Sequence, residues 1–181
     1  MFLLYPILAG LVLGALAGGR LGNLEAASFR WAPLALLGLA VQVVLFSPAV
    51  TPWIGAAGPP LYVASTALVA LVALRNARQP GVALVALGAA LNLVAIAANG
   101  GWMPADPGAL AALGRTLDGA AYSNSVAGGS GTALWPLTDV FAMPRWLPGA
   151  NVFSVGDACI SLGVLGWVVV AMRRRVPAGL P

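Results

Sequence analysis

The chain has 181 residues, of which 60% are hydrophobic and only 8% are charged. Soluble domains carry about 25% charged residues, so this composition excludes a soluble fold and favours one small domain embedded in a membrane. All 9 basic residues are arginine, histidine is absent, and there is a single cysteine, Cys159. Ser-His-Asp and Cys-His catalysis, lysine Schiff-base chemistry, an intrachain disulfide and a thiolate zinc site are therefore excluded. We expect no metal ion and no cofactor.

Five apolar segments approach the roughly 20 residues that cross the hydrocarbon core of a bilayer. In chain order they are 2–18, 31–48, 60–74, 81–99 and 152–172. Between the last two lies a polar stretch, 100–151, which is rich in Gly, Pro, Ser and Asp. We therefore predict an all-α membrane protein in which residues 1–181 form one transmembrane domain, with five transmembrane helices and a long ordered outer loop.

The arginines indicate the orientation of these segments. In the five-span arrangement most arginines fall on one side, which the positive-inside rule assigns to the cytoplasm. The N-terminus is then outside, the C-terminus is cytoplasmic, and the net charge of +4 reflects topology. Because no basic stripe with interleaved aromatic residues is present, we expect no nucleic acid as a partner, but membrane lipid and other membrane protein subunits. The cytoplasmic arginines are Arg20, Arg30, Arg75, Arg78, Arg173, Arg174 and Arg175.

Glycines recur every four residues in the first segment, at Gly10, Gly14 and Gly18. On a helix this spacing forms one stripe, and small residues let another helix approach closely. We interpret the stripe as an intramolecular packing surface in preference to a dimer interface.

Polar side chains occur at a similar depth in four of the five apolar segments. Such residues are costly in lipid and usually face the interior of a helix bundle. At 1.5 Å per residue they lie about 8–10 Å below the outer surface. Helical periodicity places Asn99 on the face of Asn92, and Ser161 on the face of Asp157. The predicted polar layer comprises Gln42, Ser65, Thr66, Asn92, Asn99, Arg145, Asp157 and Ser161.

Asp157 is the most informative member of this layer. A carboxylate at this depth costs a few kcal/mol unless it is paired, hydrated or protonated. One interpretation is functional. The other is structural, with Asp157 paired with Arg145 or hydrogen-bonded to Asn92 and Gln42.

The outer loop has its own local signals. Asp106 followed by Pro107 predicts the N-cap of a short interfacial helix, roughly 107–117. From Leu134 the loop becomes apolar again around Asp139 and Arg145. This segment either re-enters the mouth of the bundle and caps the polar layer, or lies at the interface anchored by its tryptophans.

A set of landmarks runs along nearly the whole chain. They are Gly18-Gly19-Arg20, Asn23-Leu24-Glu25, Gln42, Leu91-Asn92, Asn99-Gly100-Gly101-Trp102-Met103-Pro104, Asp139 and Ser154-Val155-Gly156-Asp157. Together they resemble a domain of unknown function found in small bacterial multi-pass membrane proteins. This resemblance implies a bacterial plasma membrane protein and supplies no activity.

The last third is also similar to lipoprotein signal peptidase. The segment from Phe153 to Ile160, with Gly163 six residues after Asp157, resembles the Phe-Asn-x-Ala-Asp-x-x-Ile-x-x-Gly segment of that enzyme. The resemblance implies an intramembrane aspartyl hydrolase in which Asp139 and Asp157 form the catalytic dyad and share one proton. Ser154 stands where that family has asparagine, and five spans are predicted instead of four.

Three functions are consistent with this sequence. The first is a non-catalytic membrane protein that binds a partner or a lipid, including as an accessory subunit of a larger membrane complex. The second is an aspartyl hydrolase that uses Asp139 and Asp157. The third is a small proton-coupled transporter in which Asp157 titrates. A pair of close carboxyls in an open groove would favour the second, and a water-filled path from both sides the third.

Overall fold

A computed structural model describes residues 3–25, 28–47, 49–115 and 125–174. The protein is mostly helical, as predicted. Residues 2, 48 and 117, which are limits of predicted helices, and Arg175 lie outside the described residues. In chain order the helices are α1 (Leu4–Leu16), α2 (Ala32–Leu45), α3 (Thr51–Ile54), α4 (Gly58–Arg75), α5 (Val82–Ala98), α6 (Pro107–Ala112) and α7 (Val155–Arg173).

Five of these helices, α1, α2, α4, α5 and α7, coincide with the five apolar segments, and their ends differ from the predicted ones by about three residues or fewer. Among the described residues, two helical stretches are long and apolar enough to cross a membrane, namely Pro52–Arg75 and α7. The other three helices are apolar but shorter, with 13, 14 and 17 residues. They are shorter because turn conformations intervene, such as Gly18 after α1 with φ +78°.

The long helices pack in the order α2, α4, α5, α7 and α1. Glycines let them approach closely. Gly88 of α5 lies against the backbone of Gly156 in α7, while Gly10 and Gly14 of α1 lie against Val168 and Met172 of α7. The first two members of the predicted glycine stripe therefore form an intramolecular contact.

Gly18 does not extend this contact. Within the described residues, no heavy atom lies within 4 Å of the position that its Cβ would occupy. Gly19 lies against Met172 instead. The four-residue spacing marks one face only while the chain is helical, and α1 ends at Leu16. The predicted stripe is therefore wrong at its third position.

The described part of the loop between α5 and α7 is folded over the C-terminal end of α5 and the N-terminal end of α7. Asp106 caps α6 as predicted, because its side chain accepts a hydrogen bond from the N–H of Ala109 at 2.9 Å. This helix ends at Ala112, before the predicted limit of 117, and Gly114 follows with φ +69°.

The part of this loop that the structure describes contains four short strands that were not predicted. Strand β1 (Met103–Ala105) pairs in parallel with β2 (Ser125–Ala127), and β3 (Phe141–Ala142) pairs antiparallel with β4 (Val152–Phe153). The turn Trp135–Leu137 contacts α5 and α7, so this segment packs against both helices that the loop connects.

Candidate functional site

A cavity of about 350 Å³ lies among α2, α4, α5 and α7. Apolar side chains form most of its wall. Four polar side chains from four different helices also line it: Gln42, Thr66, Asn92 and Asp157. The structure thus brings half of the predicted polar layer together around one space.

Asn92, Ser154 and Asp157 form a closed hydrogen-bond network at the start of α7. The Nδ2 of Asn92 donates to the Oδ1 of Asp157 at 2.8 Å, and the Oγ of Ser154 donates to the Oδ1 of Asn92 at 2.8 Å. The backbone N–H of Ser154 donates to the Oδ2 of Asp157 at 3.0 Å, and the N–H of Asp157 donates to the Oγ of Ser154 at 3.0 Å. The last two bonds are a capping box, which satisfies otherwise unpaired N–H groups of the helix.

Two glycines make this network possible. A Cβ at Gly156 would collide with the Oδ1 of Asn92, and a Cβ at Gly88 would collide with the backbone carbonyl of Gly156. Because both positions lack a side chain, α5 approaches α7 closely enough for Asn92 to reach Asp157. The carboxylate is therefore held on the cavity wall by the packing of two helices.

Gln42 and Thr66 form the opposite part of the polar wall. The Nε2 of Gln42 donates to the Oγ1 of Thr66 at 3.3 Å. Ser65 is buried, but its Oγ donates to the carbonyl of Tyr62 on its own helix at 2.9 Å. Ser65 is not among the described residues that line the cavity. Its predicted place in the layer is wrong, because a helical serine can satisfy its hydroxyl on the preceding turn.

Ser161 lies outside the cavity although it is one turn from Asp157. It lines a separate space of about 290 Å³ next to Tyr5 and Pro6 of α1. Its buried Oγ has no hydrogen-bond partner among the described residues. Asp157 and Ser161 were predicted to share one face of α7, but they line two different cavities on two sides of that helix.

Asn99 and Arg145 hold the loop between α5 and α7 and do not line the polar cavity among the described residues. The Oδ1 of Asn99 accepts from the N–H of Ala133 at 3.0 Å, and its Nδ2 donates to the carbonyl of Ala133 at 2.9 Å. The guanidinium of Arg145 donates to the carbonyls of Ala111 and Ala112 at the end of α6. Of the two structural alternatives for Asp157, pairing with Arg145 or hydrogen bonds to Asn92 and Gln42, the structure shows the bond from Asn92, while Arg145 bonds to the end of α6.

Asp139 is buried in the loop, with 8% of its surface exposed. Its N–H donates to the carbonyl of Pro104 at 3.0 Å, and its carbonyl accepts from the N–H of Asp106 at 3.0 Å. Burial, and then the charge of Asp157, raise the pKa of Asp139 to about 8. Asp139 is not among the described residues lining the cavity.

Comparison with known proteins assigns the chain to a family. A family model matches residues 26–169, which include all four polar side chains of the cavity. The chain belongs to DUF5317, a family of unknown function. This confirms the predicted membership of an uncharacterised family, although the landmarks from Gly18 to Glu25 precede the matched range. No curated protein and no solved structure matches the chain.

This member of DUF5317 has a serine that our interpretation of the sequence left out of the polar layer. Ser154 is fully buried and bonds to both Asn92 and Asp157. Its spacing from Asp157 is the Ser-x-x-Asp pattern of a capping box, so the signal was present in the sequence. Among the described residues, no group of three or more His, Cys, Asp or Glu could hold a metal ion.

The raised pKa of Asp139 predicts how stability depends on pH. The ordinary pKa of an Asp side chain is 3.8, so between about pH 4 and pH 8 the folded protein holds a proton that the unfolded chain lacks. This contribution is fully present in acid and is lost as pH rises towards 8, at up to about 1.4 kcal/mol per pH unit. We expect Asp139→Asn to flatten this decline and to raise the melting temperature at pH 8, measured in detergent between pH 5 and 9.

Asp106→Asn is the matched control for this prediction. It makes the same change in charge, and asparagine is an equally good N-cap for α6. We expect Asp106→Asn to keep the wild-type pH dependence. A wild-type dependence in Asp139→Asn as well would contradict the assignment of the bound proton to Asp139.

Proposed function

We propose that this protein crosses the bacterial plasma membrane five times and binds, without catalysis, a lipid whose head group bears an amine. The lipid occupies the cavity among α2, α4, α5 and α7, with its head group at Asp157. The N-terminus lies outside and the C-terminus in the cytoplasm. An accessory role in a larger membrane complex stays a prediction from the sequence, as does proton-coupled transport.

The exterior of the helices supports the membrane part of this proposal. Large apolar side chains are exposed on several helices, including Leu16 (79%), Val43 (73%) and Leu162 (62%). Soluble monomers rarely expose contiguous apolar patches larger than a few hundred Å². A bilayer core would cover these side chains. The helices α1 and α2 are shorter than a usual membrane span, and their contacts with other helices would let them cross as members of a bundle.

The shape and lining of the cavity are the observation that carries the lipid-binding part. Its volume of about 350 Å³ lies within the range of about 300–1,000 Å³ typical of small-molecule sites. The wall extends from Leu3 and Asp157, near the outer ends of α1 and α7, to Phe29, just before α2. Apart from its four polar groups and Tyr62, whose ring carries a hydroxyl, this wall is apolar. Such a space accommodates an acyl chain that ends at a polar head group.

The polar end of the cavity favours a head group that donates hydrogen bonds. Each carboxylate oxygen of Asp157 accepts one bond from the protein. A carboxylate has about four acceptor sites, so about two remain for a ligand. A primary ammonium supplies three N–H donors and a positive charge, whereas a quaternary ammonium supplies the charge without the donors. We therefore expect phosphatidylethanolamine to bind better than phosphatidylcholine.

Native mass spectrometry of the full chain in dodecyl maltoside tests this expectation. We expect the wild type to bind phosphatidylethanolamine about tenfold more tightly than phosphatidylcholine, a difference equivalent to about 1.4 kcal/mol. Ala35→Phe places a large ring in the cavity from a half-buried position on α2 and should weaken the binding about tenfold.

Ala40→Phe is the matched control, because Ala40 is exposed on the same helix and does not line the cavity among the described residues. It should bind phosphatidylethanolamine as the wild type does. Equal binding of the two lipids, or an equal loss in both variants, would contradict the proposal.

A second candidate function is the aspartyl hydrolase implied by the resemblance to lipoprotein signal peptidase. The raised pKa of Asp139 favours it, because an aspartic acid that keeps its proton at neutral pH can act as the general acid of such a dyad. The variants Asp139→Asn and Asp157→Asn distinguish the two functions in a complementation assay. A folded Asp139→Asn protein that still binds phosphatidylethanolamine but fails to complement a deletion strain would favour hydrolysis; full complementation would exclude it.

A further inference from the structure

A second cavity, of about 580 Å³, lies at the other end of α4, where that helix turns towards α5. Three arginines line it: Arg30, Arg75 and Arg78. None of the described residues that line it is acidic. A cavity with three cationic side chains and no acidic one is suited to an anion.

Asn76 fixes the position of Arg30. The Oδ1 of Asn76 accepts from the backbone N–H of Arg30 at 2.8 Å, and its Nδ2 donates to the carbonyls of Arg30 and Val72, each at 2.8 Å. Asn76 is only 3% exposed, so these bonds are protected from water. The segment before α2 is thus tied to the end of α4, which places arginines from both elements on one cavity.

Gln79 connects the same cavity to two further elements. Its Nε2 donates to the carbonyl of Ser28 at 2.9 Å, and its Oε1 accepts from the Nε1 of Trp167 in α7 at 2.9 Å. These bonds anchor the turn that carries Arg78. Asn76 and Gln79 therefore hold the elements around this cavity together through bonds that involve no arginine side chain.

Trp31 adds a strained element to this cavity. It adopts φ +62°, a left-handed conformation that is unusual for a bulky residue and that requires compensation from its surroundings. This conformation places its ring under the guanidinium of Arg75, with the Cζ 5.8 Å from the ring centroid. A cation over an aromatic face is attracted to it, so Arg75 is oriented at the cavity.

We propose that this cavity binds the phosphate group of an anionic phospholipid from the cytoplasmic leaflet. A guanidinium group can donate two parallel hydrogen bonds to two oxygens of one phosphate. Basic pockets between membrane helices on the cytoplasmic side bind acidic head groups. Leu71 and Leu74 line the same cavity and are more than half exposed, which provides an apolar surface for the acyl chains. A soluble phosphate compound has no acyl chain that could pack against that apolar surface. The site is distinct from the polar cavity and does not depend on its occupant.

Lipid titration of the full chain in dodecyl maltoside, followed by native mass spectrometry, tests this proposal. We expect phosphatidylglycerol to bind at least tenfold more tightly than phosphatidylcholine. Arg30→Gln, Arg75→Gln and Arg78→Gln should each weaken phosphatidylglycerol binding about tenfold, because a hydrogen bond to a charged group is lost. The melting temperature in phosphatidylcholine verifies that each variant is folded.

Arg174→Gln is the matched control, since Arg174 is exposed, lies in the same positive group and is not among the described residues lining the cavity. It should leave phosphatidylglycerol binding unchanged, as should Ala35→Phe in the other cavity. An equal loss in Arg174→Gln would overturn the proposal in favour of general charge attraction. Release of phosphatidylglycerol by millimolar inorganic phosphate would overturn the assignment to a lipid.

Discussion

Gly88→Ala is expected to lower the free energy of unfolding by about 3 kcal/mol. The added Cβ would meet the backbone carbonyl of Gly156 and the backbone nitrogen of Ile160, and backbone atoms of a packed helix cannot move aside cheaply. Overpacking of this kind costs about 1–3 kcal/mol and occasionally more. Because Asn92 is one turn from Gly88, separation of α5 from α7 would also break its bond to Asp157. Detergent-based thermal or chemical unfolding measures the loss, and lipid titration measures the effect on the cavity.

Gly166→Ala provides the control for this prediction on α7. Among the described residues, nothing lies within 4 Å of the position that its Cβ would occupy. Alanine favours a helix by about 1 kcal/mol over glycine, so Gly166→Ala should stabilise the protein slightly. The same gain in propensity applies to Gly88→Ala, so a stable Gly88→Ala protein would show that α5 and α7 are not in close contact.

Asn92→Asp is expected to destabilise the protein by about 3 kcal/mol. It replaces the amide that donates to the Oδ1 of Asp157 with a second carboxylate, which leaves two acceptors facing each other in a part-buried site. Removing one partner of a buried charged interaction costs about 3–5 kcal/mol, and the partial exposure of Asp157 places the effect at the lower end. Unfolding in detergent at pH 7 measures this loss.

The double variant Asn92→Asp/Asp157→Asn tests whether the loss comes from the bond between these two side chains. The exchange puts the donor on α7 and the acceptor on α5. Ser154 can still donate its hydroxyl to position 92 and its N–H to position 157, as it does in the wild type. The double variant should therefore recover most of the stability that Asn92→Asp loses. The cycle is completed by the single variant Asp157→Asn. If the stability losses of the two single variants simply add in the double variant, the bond between the two side chains contributes nothing to the fold.

The helices could be predicted from the sequence because their signals are local. An apolar run interrupted by Gly and Pro marks where a helix begins and ends, and the Asp106-Pro107 pair marked α6 in the same way. The depth of Gln42, Thr66, Asn92 and Asp157 follows from the rise of 1.5 Å per residue. These four side chains are the ones that line the polar cavity.

The partners of several polar residues could not be predicted, because they depend on pairing between distant segments. Strand β2 joins β1 across about twenty residues, and strands of three residues leave no periodic pattern in the sequence. Arg145 bonds to α6, and Asn76 bonds to the segment before α2, 46 residues away. Both partners are backbone groups, and the sequence does not distinguish them from the same groups of other residues.

The sequence alone determined which segments are apolar helices and how deep each polar group lies along its helix, because both follow from composition and helical rise. Only the tertiary structure decided which neighbour each group meets. Residues four apart on a helix differ by about 40° in direction, which is enough to separate them when different helices pack on the two sides. Asp157 therefore lines the cavity while Ser161, one turn on, lies against α1.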